Sequence, residues 1–152
     1  MVAPPQRETY NDRMSAQHQR VTVSLHTQRS IPAEKLKTLF DSEPWWPERS
    51  VEDLEEVLDG YPAVGAWDGD TLVGFARAVT DFRFRANIED VLVLEGYRNG
   101  SIGTQITNLL LQSLEHVDVI TLFCQRKLVS YYESLGFKEF TKQAVMQKRN
   151  NR

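Results

Sequence analysis

The stretch with the clearest chemical potential covers residues 91–103. A continuous apolar run is followed by a turn that contains glycines and Arg98, and an amphipathic helical pattern then continues to His116. This spacing predicts a buried strand, a loop and a helix N-terminus, where backbone N–H groups have no partner within the helix. Gly100 and Gly103 would let a diphosphate approach the backbone closely. Because the helix dipole adds partial positive charge there, the pattern favours binding of a phosphate-sized anion, to which Arg98 could add a charged hydrogen bond.

The same stretch also fits a plain strand-to-helix turn, and spacing alone leaves both interpretations open. It lacks the Gly-Lys-Ser/Thr ending of the nucleotide triphosphate loop, and residues 98–103 do not read Gly-x-Gly-x-x-Gly. The two commoner phosphate loops are therefore excluded.

A second group of chemically capable side chains lies in the strand predicted over residues 86–94. Period-two alternation places Asn87 and Glu89 on one face and Asp90 on the opposite face. A carboxylate there could accept a proton from a bound molecule through water, which makes Glu89 the leading candidate for a general base. A salt bridge is nearly as good an interpretation, and its possible partners are Arg77, Arg83 and Arg85. A β-bulge would swap the faces and make Asp90 the candidate base.

The elements that position these residues are predicted from apolar periodicity and turn signals. The predicted strands cover residues 21–25, 63–67, 71–80, 86–94 and 119–124, and the last of them is expected to be buried. The predicted helices run from Pro32 to about Asp41, between Ser50 and Gly60, from Thr104 to His116 and over residues 128–135. Residues 137–140 and 144–148 are expected to form a closing hairpin. The strand, loop, helix and strand over residues 91–124 predict one right-handed crossover between parallel strands.

Two motifs resemble those of the Gcn5-related N-acetyltransferases, the GNAT family. Residues 98–103, Arg-Asn-Gly-Ser-Ile-Gly, are similar to the acyl-CoA pyrophosphate loop with the signature Gln/Arg-x-x-Gly-x-Gly/Ala, with Ser101 where the family usually has glycine. Residues 131–137, Tyr-Tyr-Glu-Ser-Leu-Gly-Phe, look like the family's aromatic-Tyr-x-x-x-Gly-Phe segment. The resemblance covers residues 21–148 and implies the α/β (α+β) GNAT fold, with a mixed central sheet of about six to seven strands flanked by about four helices. A narrower likeness, in residues 74–81 and 88–93, is to the subgroup that includes plant and cyanobacterial serotonin N-acetyltransferase-like proteins.

The resemblance implies that acetyl-CoA is the cosubstrate. Backbone groups of the strand before the loop would bind the pantetheine arm, namely those of Val91, Leu92 and Val93. Gln125 stands where the family often has an asparagine that contacts pantetheine. The pyrophosphate would be held by the loop and the first helical turn, that is by Arg98, Asn99, Gly100, Ser101, Ile102, Gly103 and Thr104.

The resemblance also implies catalytic and acceptor-binding positions. Tyr132 matches the tyrosine that protonates the leaving thiolate in several family members, and packing on an amphipathic helix is the alternative. Family members place polar catalytic groups at the positions of Asn87 and Glu89, and we expect Asn87 to contact the acceptor. Trp45 and Trp46 lie where the first two helices of the family border the acceptor pocket, so they either stack on the amine or anchor the loop.

Composition narrows the class of function. The 152 residues carry a net charge of −3 and show no clustered basic face, which argues against nucleic-acid binding. The single cysteine, Cys124, excludes an internal disulfide, and three scattered histidines suggest no metal site. No apolar run approaches the roughly 20 residues that cross a bilayer, so no membrane segment is expected.

Residues 1–19 are polar and aperiodic, and we interpret them as a flexible leader or tag remnant before a single domain over residues 20–150. The lack of a signal-peptide pattern and the single cysteine indicate a cytoplasmic protein. Taken together, the sequence predicts direct transfer of an acetyl group to a primary amine, a small or amino-acid-like molecule, in a ternary complex. A homodimer is expected from family habit. The alternative is an acyl-CoA-binding or dimeric interaction module with the same fold and little turnover.

Overall fold

The structure is a computed structural model that describes residues 20–44 and 47–150. Its elements follow the order β1 (Thr22–Leu25), α1 (Ala33–Asp41), α2 (Val51–Leu58), β2 (Ala63–Asp68), β3 (Thr71–Thr80), β4 (Arg85–Val93), α3 (Ile102–Ser113), β5 (Val119–Leu122) and α4 (Val129–Ser134). The chain divides into two compact units, one ending at Leu122 and the other beginning at Phe123. Trp45 and Trp46, predicted to border the acceptor pocket, lie outside the described residues.

The first unit contains a five-stranded sheet in the order β1-β2-β3-β4-β5. Each of the first four strands pairs antiparallel with its neighbour in the chain. β4 and β5 pair parallel and are joined through α3, which confirms the predicted crossover. The pair Asp68 and Thr71 closes the hairpin between β2 and β3, and Gly69 supplies the positive φ of 58° that this turn needs.

Helices cover both faces of this sheet. On one face, apolar side chains of α1 and α2 form a cluster with sheet residues, which includes Leu36, Leu39, Phe40, Leu54, Leu58, Phe75 and Leu92. Phe40 meets Phe75 of β3 edge to face, with ring centroids 6.2 Å apart. On the other face α3 packs close to Gly74, where an added Cβ would lie 3.4 Å from Ile102 Cγ2 and 3.1 Å from Ala66 Cβ. Adjacent residues of β3 therefore pack against opposite helical layers.

α2 begins with the capping bonds expected at Ser50. Ser50 Oγ accepts from the Asp53 N–H at 3.2 Å, and Asp53 Oδ2 accepts from the Ser50 N–H at 2.8 Å. These bonds satisfy N–H groups that the helix itself cannot pair. They also fix the end of the loop between α1 and α2, which carries two charged residues of the site described below.

The second unit contains α4, preceded by a 3₁₀ turn over Arg126–Leu128. Gly136 follows the helix with a φ of 92°, as predicted for a terminating glycine. Residues 137–150 contain no strand, so the predicted closing hairpin is wrong. Beyond Phe137, the large apolar side chains of this segment stay exposed, with Phe140 at 66% and Met146 at 90%. A two-stranded hairpin that buries no apolar face is only marginally stable.

The strand count and the last strand also differ from expectation. The described residues form five strands, fewer than the six to seven expected, while the four α-helices agree. β5 ends at Leu122 and leaves Val119 42% exposed, because it is the edge strand of the first unit. Cys124 lies beyond β5 and is exposed, not part of a buried strand.

Candidate active site

A β-bulge shapes β4 beside the predicted carboxylates. Phe75 of β3 pairs with Leu92 of β4. Arg77, two residues further along β3, pairs with Glu89, so β4 carries one extra residue between the two pairs. Asp90, within this bulge, has a φ of 55°, a left-handed value that is uncommon outside glycine. The strict alternation of side chains expected beyond Glu89 is therefore wrong. The β-bulge, which the sequence analysis left open as an alternative, is present.

Arg77 binds both carboxylates of this segment. Its Nε donates to Asp90 Oδ2 at 2.6 Å, and its Nη2 donates to Glu89 Oε2 at 3.1 Å. Arg49 donates to the same Asp90 oxygen through Nη1 at 3.4 Å. The side chains of Arg77 and Asp90 are 8% and 6% exposed, whereas that of Glu89 is 40% exposed. The salt bridge considered for Glu89 is thus present, and Glu89 is the carboxylate of the pair that solvent reaches.

Asn87 holds the second oxygen of Glu89. Its Nδ2 donates to Glu89 Oε1 at 3.1 Å, and its Oδ1 accepts from Thr121 Oγ1 of β5 at 3.0 Å. The protein therefore engages both ends of the Asn87 amide. Direct contact between Asn87 and the acceptor stays a prediction.

β4 and β5 separate next to this cluster. Their pairing ends at Ile88 and Leu122, while β4 continues to Val93. Within the described residues, no strand pairs with this last part of β4 on the side away from β3. The segment contains Val91, Leu92 and Val93, the positions predicted to bind the pantetheine arm. Its open edge can accept an extended, amide-containing chain in the way that a sheet accepts an added strand.

The N-terminus of α3 follows this edge in the chain, after a 3₁₀ turn over Glu95–Tyr97. Asn99 has a φ of 63°, and Ser101 occupies the N-cap position without a side-chain capping bond. The Ser101 hydroxyl instead accepts from Gln105 Nε2 at 2.7 Å. The first N–H groups of α3 are therefore uncapped by Ser101, as an anion site requires.

The other loop positions predicted to hold the pyrophosphate surround Ser101, and they are Gly100, Ile102, Gly103 and Thr104. The Ile102 side chain is buried, so only its backbone is available to a ligand. These residues lie at the start of α3, and their binding of a pyrophosphate stays a prediction.

Arg98 is engaged by two protein groups. Its Nε donates to the carbonyl oxygen of Val93 at 2.8 Å, and its Nη2 pairs with the Glu43 carboxylate in the loop between α1 and α2. For Arg98 to bind a phosphate with its full set of donors, the guanidinium has to turn away from Glu43. Glu43 is therefore an internal competitor for the anion predicted at this loop.

Tyr132, the predicted acid, belongs to the second unit and is buried there. Its ring packs edge to face against Tyr131 and Phe137, at centroid distances of 4.9 and 5.9 Å. Burial raises the pKa of Tyr132 to about 12, with smaller contributions from Tyr131 and Cys124. The phenol therefore keeps its proton at neutral pH and can act only as a donor of that proton. Gln125, in the same unit, is exposed and directly precedes the 3₁₀ turn.

Sequence reasoning missed Glu43, Arg49 and Thr121. Glu43 and Arg49 lie in the loop between α1 and α2, and only the folded chain shows how close that loop comes to β4 and Arg98. One feature of the sequence could have predicted this cluster. Arg77 is a charged residue in the middle of an apolar strand, and such a residue requires a buried partner.

Among the described residues, no group of three or more His, Cys, Asp or Glu side chains could hold a metal ion. In that same part of the chain, no helix is long and apolar enough to span a bilayer.

Comparison with known proteins gives one family. Residues 28–137 match the family described as the acetyltransferase (GNAT) family. The N-acetyltransferase ycf52 of Pyropia yezoensis is 40% identical over 122 residues, which are 76% of this chain and 70% of that protein. A Glycine max protein named histone acetyltransferase TAP1 is 41% identical over 107 residues, 61% of this chain but only 46% of its own length. A GNAT-family acetyltransferase of Streptococcus pneumoniae TIGR4 has a similar structure, with a TM-score of 0.74 at 25% identity, over 87% of this chain and 99% of its own.

Proposed function

Since this chain belongs to the GNAT acetyltransferase family, we propose that it transfers the acetyl group of acetyl-CoA directly to a primary amine within a ternary complex. One observation carries the proposal: β4 separates from β5 after Ile88 and Leu122, and the next residue of β4 is Glu89. The separation offers an open strand edge for an acyl-CoA arm, with a proton acceptor at its start.

The residues proposed to bind acetyl-CoA follow one another along the chain of the first unit. The GNAT fold binds acetyl-CoA or CoA, and the β4 edge over residues 91–93 would hold the pantetheine arm. The uncapped N–H groups at the start of α3 would hold the pyrophosphate. Arg98 would add a charge-assisted hydrogen bond after it leaves Glu43. When bound, acetyl-CoA supplies the thioester carbonyl, and the chain supplies orientation and proton transfer.

The proposed reaction joins the amine nitrogen to the acetyl carbonyl carbon and breaks the carbon–sulfur bond. The amine must lose a proton, and the leaving thiolate must gain one. Glu89 would take the first proton, directly or through water, because its carboxylate reaches solvent. Tyr132 would supply the second proton, as the family motif implies, and its raised pKa keeps the phenol protonated until then.

For the acceptor we propose a small primary amine, either a polyamine, an arylalkylamine or an amino-acid-like molecule. Such amines are cationic at neutral pH, and the exposed Glu89 carboxylate would attract their ammonium group. The name of the Glycine max relative favours a protein lysine as the second candidate acceptor. Both candidates are primary amines and would meet the same carboxylate.

Amine-dependent release of the CoA thiol tests the proposal. The purified chain is given acetyl-CoA with spermidine, phenethylamine, lysine amide or a histone tail peptide, and the products are identified by mass spectrometry. We expect release with at least one small amine and its acetylated product. Release with the histone peptide alone would move the acceptor to protein lysine. Binding of acetyl-CoA without release to any amine would favour the acyl-CoA-binding module and contradict the proposal.

The expected homodimer and cytoplasmic location stay predictions. Sedimentation velocity of the purified chain measures the first, and fluorescence imaging of a tagged chain in its own cells measures the second.

A further inference from the structure

Asp90 combines features that a solvent-exposed base does not need. Its side chain is buried, and its Oδ2 meets Arg77 Nε at 2.6 Å and Arg49 Nη1 at 3.4 Å. Its backbone takes a left-handed φ of 55°, which Asp and Asn tolerate better than other side chains. A buried carboxylate and an unusual φ persist together only when the surroundings favour that conformation.

We propose that Asp90 is a positioning residue and not the base, and that it fixes the Glu89 carboxylate through Arg77. Asn87, with Thr121 behind it, holds the second oxygen of Glu89. The inference rests on the proposed function, since it assigns which carboxylate of that site takes the proton from the amine.

The shape of the Arg77 side chain makes the coupling direct. A guanidinium is planar and rigid, so an ion pair at one nitrogen fixes the direction of the others. Asp90 binds Nε at 2.6 Å, and the Nη2 of the same plane then reaches Glu89 Oε2 at 3.1 Å. Movement of Asp90 would therefore turn the group that holds Glu89.

Glu89 keeps room for a substrate. Oε2 receives one bond from Arg77 and Oε1 receives one from Asn87. Each carboxylate oxygen has two lone pairs, so both oxygens can accept a further hydrogen bond from an ammonium group or a water. Asp90 Oδ2 is occupied by two arginines in a buried setting. Of the two carboxylates, Glu89 is therefore the one that an acceptor can reach.

The test is a double-mutant cycle measured as kcat with acetyl-CoA and the best small amine of the panel. We expect Glu89→Gln to lower kcat about 100-fold, within the range of a lost general base. Asp90→Asn should lower kcat about tenfold, because Asn keeps the shape and tolerates the φ but loses the charge that holds Arg77. The double variant should be no slower than Glu89→Gln alone, because Asp90 acts only through Glu89.

Asn87→Ala is the second variant, and it leaves the buried ion pair intact. It should lower kcat severalfold in the wild-type background and by a smaller factor in the Glu89→Gln background, where only a contact with the acceptor is left to lose. Asp118→Asn and Glu115→Gln are matched controls at exposed positions that take no part in the hydrogen bonds of the cluster, and they should retain wild-type kcat. Thermal unfolding of every variant identifies any loss that comes from unfolding.

Three results would overturn the inference or its premise, and they are distinguishable. A larger loss from Asp90→Asn than from Glu89→Gln would make Asp90 the base. Losses that multiply in the folded double variant would show that the two carboxylates act independently. A wild-type chain that releases no CoA with any amine would instead refute the proposed function.

Discussion

Burial raises the pKa of Tyr132 to about 12, so the phenol stays protonated in the pH range where amines lose their proton. An acid catalyst loses activity only as the pH rises through its pKa. We therefore predict that kcat rises with pH as the amine becomes neutral. It should show no decline at any pH up to about 10, which is the ordinary pKa of tyrosine. A pH–rate profile of the wild-type chain checks this, and a descending limb centred near pH 10 would contradict it.

Replacement of the same hydroxyl tests its role as acid. Tyr132→Phe should lower kcat at least about tenfold and leave the affinity for CoA within about twofold, because only the proton donor is removed. Tyr131→Phe is the matched control, since the buried Tyr131 hydroxyl has no hydrogen-bond partner in the described part of the chain. That control should keep kcat, and its free energy of unfolding should stay equal or rise slightly. Equal rates for Tyr132→Phe and wild type would remove Tyr132 from the mechanism.

At the scale of residues, the sequence predicts which side chains belong to the Glu89 cluster better than it predicts their geometry. The residue types and their order point to Asn87 and Glu89 but leave Arg77, Arg83 and Arg85 open as partners of Glu89, and the structure shows Arg77. The side of the strand on which Asp90 lies depends on a bulge, and that bulge is set by pairing with β3, which period-two reasoning does not include. The contact from Arg49 depends on the fold of a loop that has no periodic pattern.

At the scale of elements, the turn between β3 and β4 depends on one carboxylate. Asp81 Oδ1 accepts from the N–H groups of Arg83, Phe84 and Arg85 at 3.0, 2.8 and 3.0 Å. These N–H groups, that of Arg85 most, lower the pKa of Asp81 from its ordinary 3.8. The charged form is therefore favoured by folding, and its contribution to stability is fully present above pH 3.8 and is lost as the pH falls through the lower folded value.

Asp81→Asn should accordingly lower the Tm at neutral pH, because a neutral amide accepts these bonds less strongly. The difference in Tm from wild type should be constant down to about pH 5 and should shrink below about pH 4. Thermal unfolding followed by circular dichroism across this range checks the prediction, with Asp118→Asn as an exposed control. A difference that grows toward acid pH would have the wrong sign.

The loop between α1 and α2 is coupled to the start of α3 through Glu43 and Arg98. Because Glu43 competes with phosphate for the guanidinium, Glu43→Gln should tighten CoA binding by about two- to fivefold, the range expected for release of a partly exposed ion pair. Arg98→Gln should weaken binding. Glu139→Gln removes a comparable carboxylate partner from Arg126 in the second unit and should leave affinity unchanged. Unchanged affinity in Glu43→Gln would show that the pair does not oppose binding.

Strong periodic patterns predict most elements of the first unit. The apolar faces of α1, α2 and α3 and the Asp-Gly turn between β2 and β3 each agree with the structure, because local pattern and packing coincide there. The closing hairpin fails because residues 137–148 offer too little apolar surface to form a buried face. β5 is shorter than predicted because it has a partner strand on one side only.

At the scale of the whole molecule, two short motifs in the right order predict the family, and the match over residues 28–137 confirms it. The fold follows from the same order, since a single parallel pair in an otherwise antiparallel sheet requires the crossover through α3. The acceptor cannot be derived in this way. It depends on the three-dimensional arrangement of side chains around Glu89, which sequence pattern does not give.

The most direct test of the central claim is a calorimetric titration of the purified chain with acetyl-CoA. The open edge of β4 and the uncapped N-terminus of α3 predict saturable binding with one site per chain and an affinity in the micromolar range, weakened by Arg98→Gln. Binding that is absent, or that is unaffected by Arg98→Gln, would contradict the assignment of these elements as the acetyl-CoA site.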